Sequence, residues 1–135
     1  MRGSVGEPVA PAQTILLVED DAAAREALSD ILRDEGYAVQ TAENGRQALA
    51  YLESAARPCL ILLDLVMPVM DGWEFRERQL AATELSAIPV VVLTATAGKG
   101  VAGVDAKDIL RKPIDFDALL RRVEAHCVRP AGGAA

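Results

Sequence analysis

The sequence predicts an α/β fold in which one doubly wound, five-stranded parallel sheet is covered by helices on both faces. Two observations support this prediction. Short aliphatic runs alternate with segments of helical periodicity, which is typical of consecutive β-α-β units. The chain has 135 residues, of which 51% are hydrophobic, and this is enough to bury the core of a single domain.

The strands are predicted from five short aliphatic runs. They are expected at residues 15–18, 38–41, 60–63, 90–93 and 109–111, and the fifth run is the weakest. The second and fourth runs are apolar nearly all round, which is typical of strands covered by helices on both faces.

The helices are predicted from apolar residues that recur at spacings of three and four. Asp21 is a suitable N-cap for the first helix, and Gly36 is suited to end it. The other helices are expected to begin at Gly45, after Asp71 and Gly72, and at Asp115, and the last one reaches Cys127.

The link between the fourth and fifth strands departs from this regular pattern. Three glycines fall within residues 98–103, and each glycine inside a helix costs about 1 kcal/mol relative to alanine. We therefore expect the helix between these two strands to be short, displaced or irregular.

The two ends of the chain are predicted to be flexible tails. Residues 1–13 and 129–135 are rich in Gly, Pro and Ala and have no apolar face to bury. They flank a predicted domain over residues 14–128, and neither is long enough to hold an output domain. No apolar run is long enough for a signal peptide or a membrane span, so we expect a cytoplasmic protein.

The charge and the cysteine content indicate which partners and which cellular compartment to expect. The formal net charge is −6, from 20 acidic and 14 basic residues, which disfavours a nucleic-acid-binding surface. Cys59 lies in an apolar run and Cys127 on a helical stripe, which suggests thiols used as small hydrophobic groups in a reducing compartment. No disulfide framework is expected.

Polar side chains follow four of the predicted strands. Glu19 and Asp20 follow the first strand, Asp64 the third, Thr94 ends the fourth, and Lys112 follows the fifth. Because the carboxyl ends of parallel strands meet at one edge of a sheet, these side chains are expected to converge there.

This convergence indicates a particular chemistry. Clustered carboxylates repel one another, and the usual relief is a hard divalent cation with oxygen ligands, such as Mg²⁺. A metal, an ammonium and a hydroxyl around one carboxylate are also what an acceptor of a phosphoryl group requires.

Four motifs, "ILLVEDD", "LLDLVMPVMDG", "IPVVVLTA" and "RKP", occur in this order and resemble the receiver domain of two-component response regulators. The resemblance covers residues 14 to about 128. It implies a sheet in flavodoxin-like order 2-1-3-4-5 and the transfer of a phosphoryl group from a histidine kinase or phosphotransfer protein to an aspartate.

The resemblance also implies a metal site. Asp20 and Asp64 would be direct Mg²⁺ ligands, and Glu19 would act through a metal-bound water. The backbone carbonyl of Val66 would complete the protein ligands.

The same resemblance assigns the phosphoryl chemistry. Asp64 would be the phospho-acceptor, Thr94 would hydrogen-bond one phosphoryl oxygen, and Lys112 would pair with another. The peptide bond between Lys112 and Pro113 would be cis. The protein would not be an enzyme with a separate substrate: it would catalyse only its own phosphorylation and slow dephosphorylation. Val66 supports the slow hydrolysis, because its aliphatic side chain cannot hydrogen-bond to an attacking water.

The resemblance and the short tails together predict how the protein passes on its signal. We expect a stand-alone receiver, a monomer or weak homodimer, that signals by contact with an unknown downstream protein, without nucleic acid or membrane. Ile109 occupies the position where the family usually has a Tyr or Phe that rotates inward on activation. A change in order of residues 97–106 is the expected alternative signal.

Three alternatives compete with this interpretation. "GKGVAG" at residues 98–103 matches a dinucleotide-binding pattern, but no room for the required helix follows it. A phosphatase of the haloacid dehalogenase type would need a second acid two residues after Asp64, and this sequence has Val66 there. A receiver-like module that works without phosphorylation is opposed by the full set of acid, Thr and Lys positions, yet nothing in the sequence disproves it.

Overall fold

The computed structural model describes residues 13–54, 57–95 and 108–128. This part of the chain contains five strands and four helices in alternation, apart from the step from the fourth to the fifth strand. In chain order they are β1 Thr14–Val18, α1 Ala22–Asp34, β2 Ala38–Ala42, α2 Gly45–Glu53, β3 Leu60–Asp64, α3 Gly72–Ala81, β4 Val90–Thr94, β5 Asp108–Arg111 and α4 Phe116–His126.

The five strands form one sheet in the order β2-β1-β3-β4-β5. Every neighbouring pair is parallel. The predicted fold class is therefore confirmed, with the flavodoxin-like order that the resemblance implied. Each strand bound lies within one residue of its prediction.

The expected burial was correct for β4 and wrong for β2. All five residues of β3 and of β4 are buried, whereas β2 is only partly buried and exposes Gln40. The reason is position: β2 lies at the edge of the sheet, where only one neighbouring strand covers it, although its composition is largely apolar.

The helix starts follow the predicted capping residues. Each N-cap side chain accepts a hydrogen bond from a backbone N–H in the first turn, and such caps typically contribute about 1 kcal/mol. At the end of α1, Gly36 adopts a φ of 98°, a conformation open to glycine at little cost. The caps are Asp21, Asn44, Asp71 and Asp115.

Two hydrophobic layers hold the helices against the sheet. Alternate strand residues point to opposite faces, so Leu16 and Ile61 pack with α2 and α3, while Ile15 and Leu62 pack with α1 and α4. Each layer contains more than ten buried residues. Both faces of the sheet are thus occupied, which leaves its two edges at the strand ends for polar groups.

The two cysteines correct an expectation. Cys59 and Cys127 form a disulfide, with their Cα atoms 5.4 Å apart, rather than remaining as buried thiols. Cys59 immediately precedes β3, and Cys127 immediately follows α4. Because α4 runs back against the strand direction, its last turn returns to the amino end of β3 and brings the two residues together.

Several expectations concern residues outside the described part of the chain. These are the flexibility of the two tails, apart from residue 13, and the irregular helix and switching segment between β4 and β5, which fall within residues 96–107. They remain predictions. Among the described helices, none is both long and apolar enough to cross a membrane.

Candidate functional site

Three carboxylates meet at the carboxyl edge of the sheet. Glu19 follows β1, Asp20 comes next, and Asp64 ends β3; one carboxylate oxygen from each lies within 4.8 Å of the other two. Glu19 and Asp64 are buried, and Asp20 is exposed. The cluster is therefore set into the sheet on one side and open to solvent on the other.

Glu19 is held from several directions. Its Oε1 accepts a hydrogen bond from Lys112 Nζ at 2.8 Å, and its Oε2 accepts one from the Asp21 backbone N–H at 3.2 Å. Its own N–H donates to the carbonyl of Ala42 at the end of β2. The two hydrogen bonds to the carboxylate oxygens offset the cost of burying a residue that is only 1% exposed.

Asp64 occupies the centre of the site. Its Oδ1 accepts the Leu65 N–H at 2.9 Å, and its Oδ2 lies 3.7 Å from Lys112 Nζ. Burial first and then the charge of Glu19, opposed by Lys112, raise the pKa of Asp64 to about 7. Burial and the neighbouring Glu19 carboxylate thus make Asp64 hold its proton unusually tightly.

Lys112 is the cationic group of the site. Its backbone N–H donates to the carbonyl of Thr94, which ties the end of β5 to the end of β4. Burial acts to lower the pKa of Lys112, but the hydrogen bond to Glu19 and the charge of Asp64 outweigh it and raise the pKa. The peptide from Lys112 to Pro113 is cis.

The two remaining predicted residues, Thr94 and Val66, lie at or just beyond the carboxyl ends of β4 and β3. Thr94 is buried as the last residue of β4, and β4 pairs with β3 so that Asp64 is opposite Leu93. Val66 lies two residues beyond Asp64 with its side chain 63% exposed. All the residues predicted for the site therefore lie at or next to the ends of β1, β3, β4 and β5.

The donor set fits a hard divalent cation. Three carboxylates supply oxygen ligands, which Mg²⁺ prefers. When all are ionised, Lys112 leaves two negative charges uncompensated, which matches one divalent cation. Asp20 and Asp64 would hold the ion directly and Glu19 through a water, joined by the Val66 carbonyl that the resemblance implies.

The loop after Asp64 is held tightly against the strand end. The Gly72 N–H donates to the carbonyl of Leu65 at 2.8 Å, and a Cβ at Gly72 would come within 2.5 Å of the Asp64 carbonyl oxygen. Only glycine permits this approach. Within the loop, Val69 has a φ of 70°, a conformation that costs a β-branched residue about 1–3 kcal/mol.

Sequence reasoning missed Arg25, which lies next to the site. Its guanidinium donates to the carbonyls of Glu19 and Asp20. The signal was present, because a long side chain in the first turn of a helix points back toward the residues that precede the helix. That signal gives only the direction of the side chain, because backbone carbonyl partners leave no motif in a sequence.

The strand order and the acidic edge place the chain among flavodoxin-like α/β proteins, whose chemistry occurs beyond the carboxyl ends of the strands. Within that class, residues 15–124 match the family model of the response regulator receiver domain. The chain belongs to this family, whose members act as phospho-acceptors in two-component signalling.

Named relatives and solved structures agree with this assignment. The chain is 44% identical to the response regulator MprA of Mycolicibacterium vanbaalenii over 115 residues, which cover 82% of this chain and 48% of that protein. It thus spans about half the length of the curated relatives it matches.

Two solved structures extend the agreement to three dimensions. Chemotaxis protein CheY4 of Vibrio cholerae superposes with a TM-score of 0.76 at 32% identity, over 85% of this chain and 98% of that one. The receiver domain of a sensor histidine kinase from Pseudomonas aeruginosa gives 0.79 at 31%, over 85% and 97%, and has a magnesium ion coordinated in its active site cleft.

Proposed function

We propose that this chain accepts a phosphoryl group on Asp64 from a histidine kinase or phosphotransfer protein, with Mg²⁺ as cofactor, and signals through protein contact. The observation that carries the proposal is the carboxylate cluster with Lys112 at its edge. The unit proposed to act is residues 14–128. We also propose a cytoplasmic location, which is usual for this family.

Asp64 Oδ2 is the proposed nucleophile. Oδ1 is engaged by the Leu65 N–H, whereas Oδ2 faces Lys112. Oδ2 forms a bond to phosphorus while the bond from phosphorus to the donor imidazole nitrogen breaks, and the electron pair of that bond stays on the imidazole. The product is an aspartyl phosphate on Asp64.

The surrounding residues stabilise the charge on the transferred group. Lys112 Nζ lies 3.7 Å from Asp64 Oδ2, so it can pair with a phosphoryl oxygen bound there. The Thr94 hydroxyl is proposed to donate a hydrogen bond to a second phosphoryl oxygen. Bound Mg²⁺ would neutralise part of the negative charge of the phosphoryl oxygens.

The partner is proposed to dock on an apolar groove beside Lys112. The groove has a volume of about 200 Å³ and lies between α1 and the start of α4. Phe116 on its rim is 45% exposed, and Ala27 is exposed on α1. A protein carrying a phosphohistidine can bury this surface while its imidazole reaches Asp64.

Hydrolysis of the aspartyl phosphate is proposed to be slow. A water must attack the phosphorus, release inorganic phosphate and regenerate the Asp64 carboxylate. Val66, two residues beyond Asp64, offers no hydrogen bond to orient that water, and such positioning is typically worth about tenfold or more. Val66→Asn should therefore change the decay rate clearly.

Intact mass spectrometry after treatment with acetyl phosphate tests the acceptor directly. One added phosphoryl group is expected with Mg²⁺ and none with a chelator or in Asp64→Asn. Asp71→Asn is the matched control, because Asp71 is another acid at the same edge and Asn is an equally good N-cap for α3. Modification that persists in Asp64→Asn would overturn the assignment, and no modification of the wild type would favour a module that works without phosphorylation.

The docking groove is tested by comparing two donors. Ala27→Arg should slow transfer from histidine kinases of the source by about tenfold or more, while phosphorylation by acetyl phosphate stays unchanged. Ala50→Arg, exposed on α2 at the other face of the sheet, should affect neither. Equal transfer rates in wild type and Ala27→Arg would place the donor elsewhere.

A further inference from the structure

The turn from β1 into α1 presents a positioning problem. It carries two adjacent acids, Glu19 and Asp20, at the open edge of the sheet. Glu19 is fixed through both of its carboxylate oxygens. Asp20 is exposed, so the position of its carboxylate depends strongly on how firmly the backbone of this turn is held.

Arg25 holds that backbone. Its Nη1 donates to the carbonyl of Glu19 at 2.8 Å and to the carbonyl of Asp20 at 3.3 Å. Its Nη2 lies 4.0 Å from Glu43 Oε2, and the side chain is only 18% exposed. The Arg25 backbone N–H also donates to the Asp21 carbonyl at 2.9 Å. One residue thus ties both acid-bearing peptides to the first turn of α1.

The charge of Arg25 works against its being a simple aid to metal binding. A cation held against the backbone of this acidic turn opposes the approach of a second cation. Any benefit of Arg25 to Mg²⁺ binding must therefore come from geometry. Nη1 serves both carbonyls while Nη2 faces the Glu43 carboxylate, and the single nitrogen of a lysine side chain cannot reproduce this fork of two nitrogens.

We infer that Arg25 is a positioning residue for the Mg²⁺ site: it fixes the Glu19 and Asp20 carbonyls and thereby holds the Asp20 carboxylate where it can bind the ion. This inference rests on the proposed function, because it assumes that the site binds Mg²⁺. Partners that orient metal ligands typically contribute about tenfold or more to metal affinity.

Isothermal titration calorimetry with MgCl₂ separates geometry from charge. Arg25→Lys keeps the charge and loses the fork, so Mg²⁺ binding should weaken by about tenfold. Arg33→Lys is the matched control, because Arg33 also lies on α1 and donates to a single backbone carbonyl, that of Val39; its Mg²⁺ affinity should stay within about twofold of wild type. Thermal unfolding of each variant shows that it is folded.

A second variant makes the test two-sided. If Arg25 acted only through its charge, Arg25→Gln would bind Mg²⁺ more tightly than wild type and Arg25→Lys would be unchanged; this result would overturn the inference. Weaker binding by both variants is the expected result. If the wild type itself does not bind Mg²⁺, both the proposed site and this inference fail, whereas normal binding by Arg25→Lys overturns the inference alone.

Discussion

The carboxyl ends and the amino ends of the strands form two edges of the sheet, and these two edges differ in chemistry. At the carboxyl edge, Glu19, Asp20 and Asp64 bring three acids within 4.8 Å of one another. At the amino edge, Cys59 and Cys127 close a disulfide. One edge concentrates unfavourable charge, and the other adds a covalent link between distant parts of the chain.

Hydrogen bonds strengthen this contrast. At the amino edge, the Cys59 N–H donates to the Thr14 carbonyl and the Val128 N–H donates to Gln13 Oε1. These bonds tie the start of β1 to the start of β3 and to the end of α4. This fold therefore places stabilising links at the amino edge. It tolerates electrostatic repulsion at the carboxyl edge, where phosphoryl transfer is proposed.

Loss of the disulfide is the largest expected effect. Cys59 and Cys127 are separated by 68 residues, and closing a loop of that length is expected to stabilise the fold by about 4 kcal/mol in the chain-entropy account. Urea unfolding with and without a reducing agent measures this difference. A protein in a reducing cytoplasm would lack this contribution.

The double variant Cys59→Ala/Cys127→Ala is the control for reduction. It should unfold at the same urea concentration with or without reducing agent, and phosphorylation of the folded protein by acetyl phosphate should remain. Equal stability of oxidised and reduced wild type would show that the amino edge does not depend on this link.

Gly72→Ala should have the next largest effect. The added Cβ would lie 2.5 Å from the Asp64 carbonyl oxygen and 2.8 Å from the Leu65 Cα, and neither backbone atom can move without displacing Asp64. We expect a loss of about 3 kcal/mol and slower phosphorylation.

The matched control for this change is Gly45→Ala. Its closest contact would be the Met70 side chain, with Cγ at 2.8 Å, which can adjust its rotamer, and the nearest backbone atom would be the Met70 carbonyl oxygen at 3.0 Å. Urea unfolding should show a smaller loss than for Gly72→Ala. A larger loss for Gly45→Ala than for Gly72→Ala would contradict this explanation.

Ionisation of Asp64 is expected to lower the stability of the fold by a smaller amount, which depends on pH. Its folded-state pKa of about 7 exceeds the ordinary value of 3.8, so ionised Asp64 destabilises the fold. This penalty is absent below about pH 4, grows as the pH rises, and is complete above about pH 7.

Asp64→Asn removes this penalty together with the attraction to Lys112. The variant should be more stable than wild type by about 2 kcal/mol at pH 8 without Mg²⁺, and the difference should shrink toward pH 5. Chemical unfolding at both pH values measures it, with Asp30→Asn on the exposed side of α1 as control. A variant less stable than wild type at pH 8 would contradict a net penalty for burying ionised Asp64.

The sequence was sufficient for the fold and for the location of the acids. Apolar periodicity and caps such as Asp21 and Asp71 are local signals, and the rule that parallel strands end at one edge brings Asp64 toward Glu19. The Cys59–Cys127 disulfide could not be predicted in this way, because it depends on where α4 ends relative to β3, which only the packed structure determines.

Relief of strain at Val69 should give the smallest effect. Val69 has a φ of 70° and is 73% exposed, so Asn, which tolerates this conformation, should stabilise the fold by about 1 kcal/mol. Val128 is a matched control at the amino edge, 70% exposed and without positive φ; Val128→Asn should stay within about 0.5 kcal/mol of wild type. Thermal unfolding compares the two.

The division of the sheet into a proposed phosphoryl-accepting edge and a stabilising edge is tested most directly by ¹H–¹⁵N NMR spectra with and without beryllofluoride and Mg²⁺, a mimic of the phosphorylated state. The account predicts large shifts for the amides of Asp20, Leu65 and Lys112 and unchanged positions for those of Cys59 and Cys127. Comparable shifts at both edges, or shifts at the amino edge alone, would contradict it.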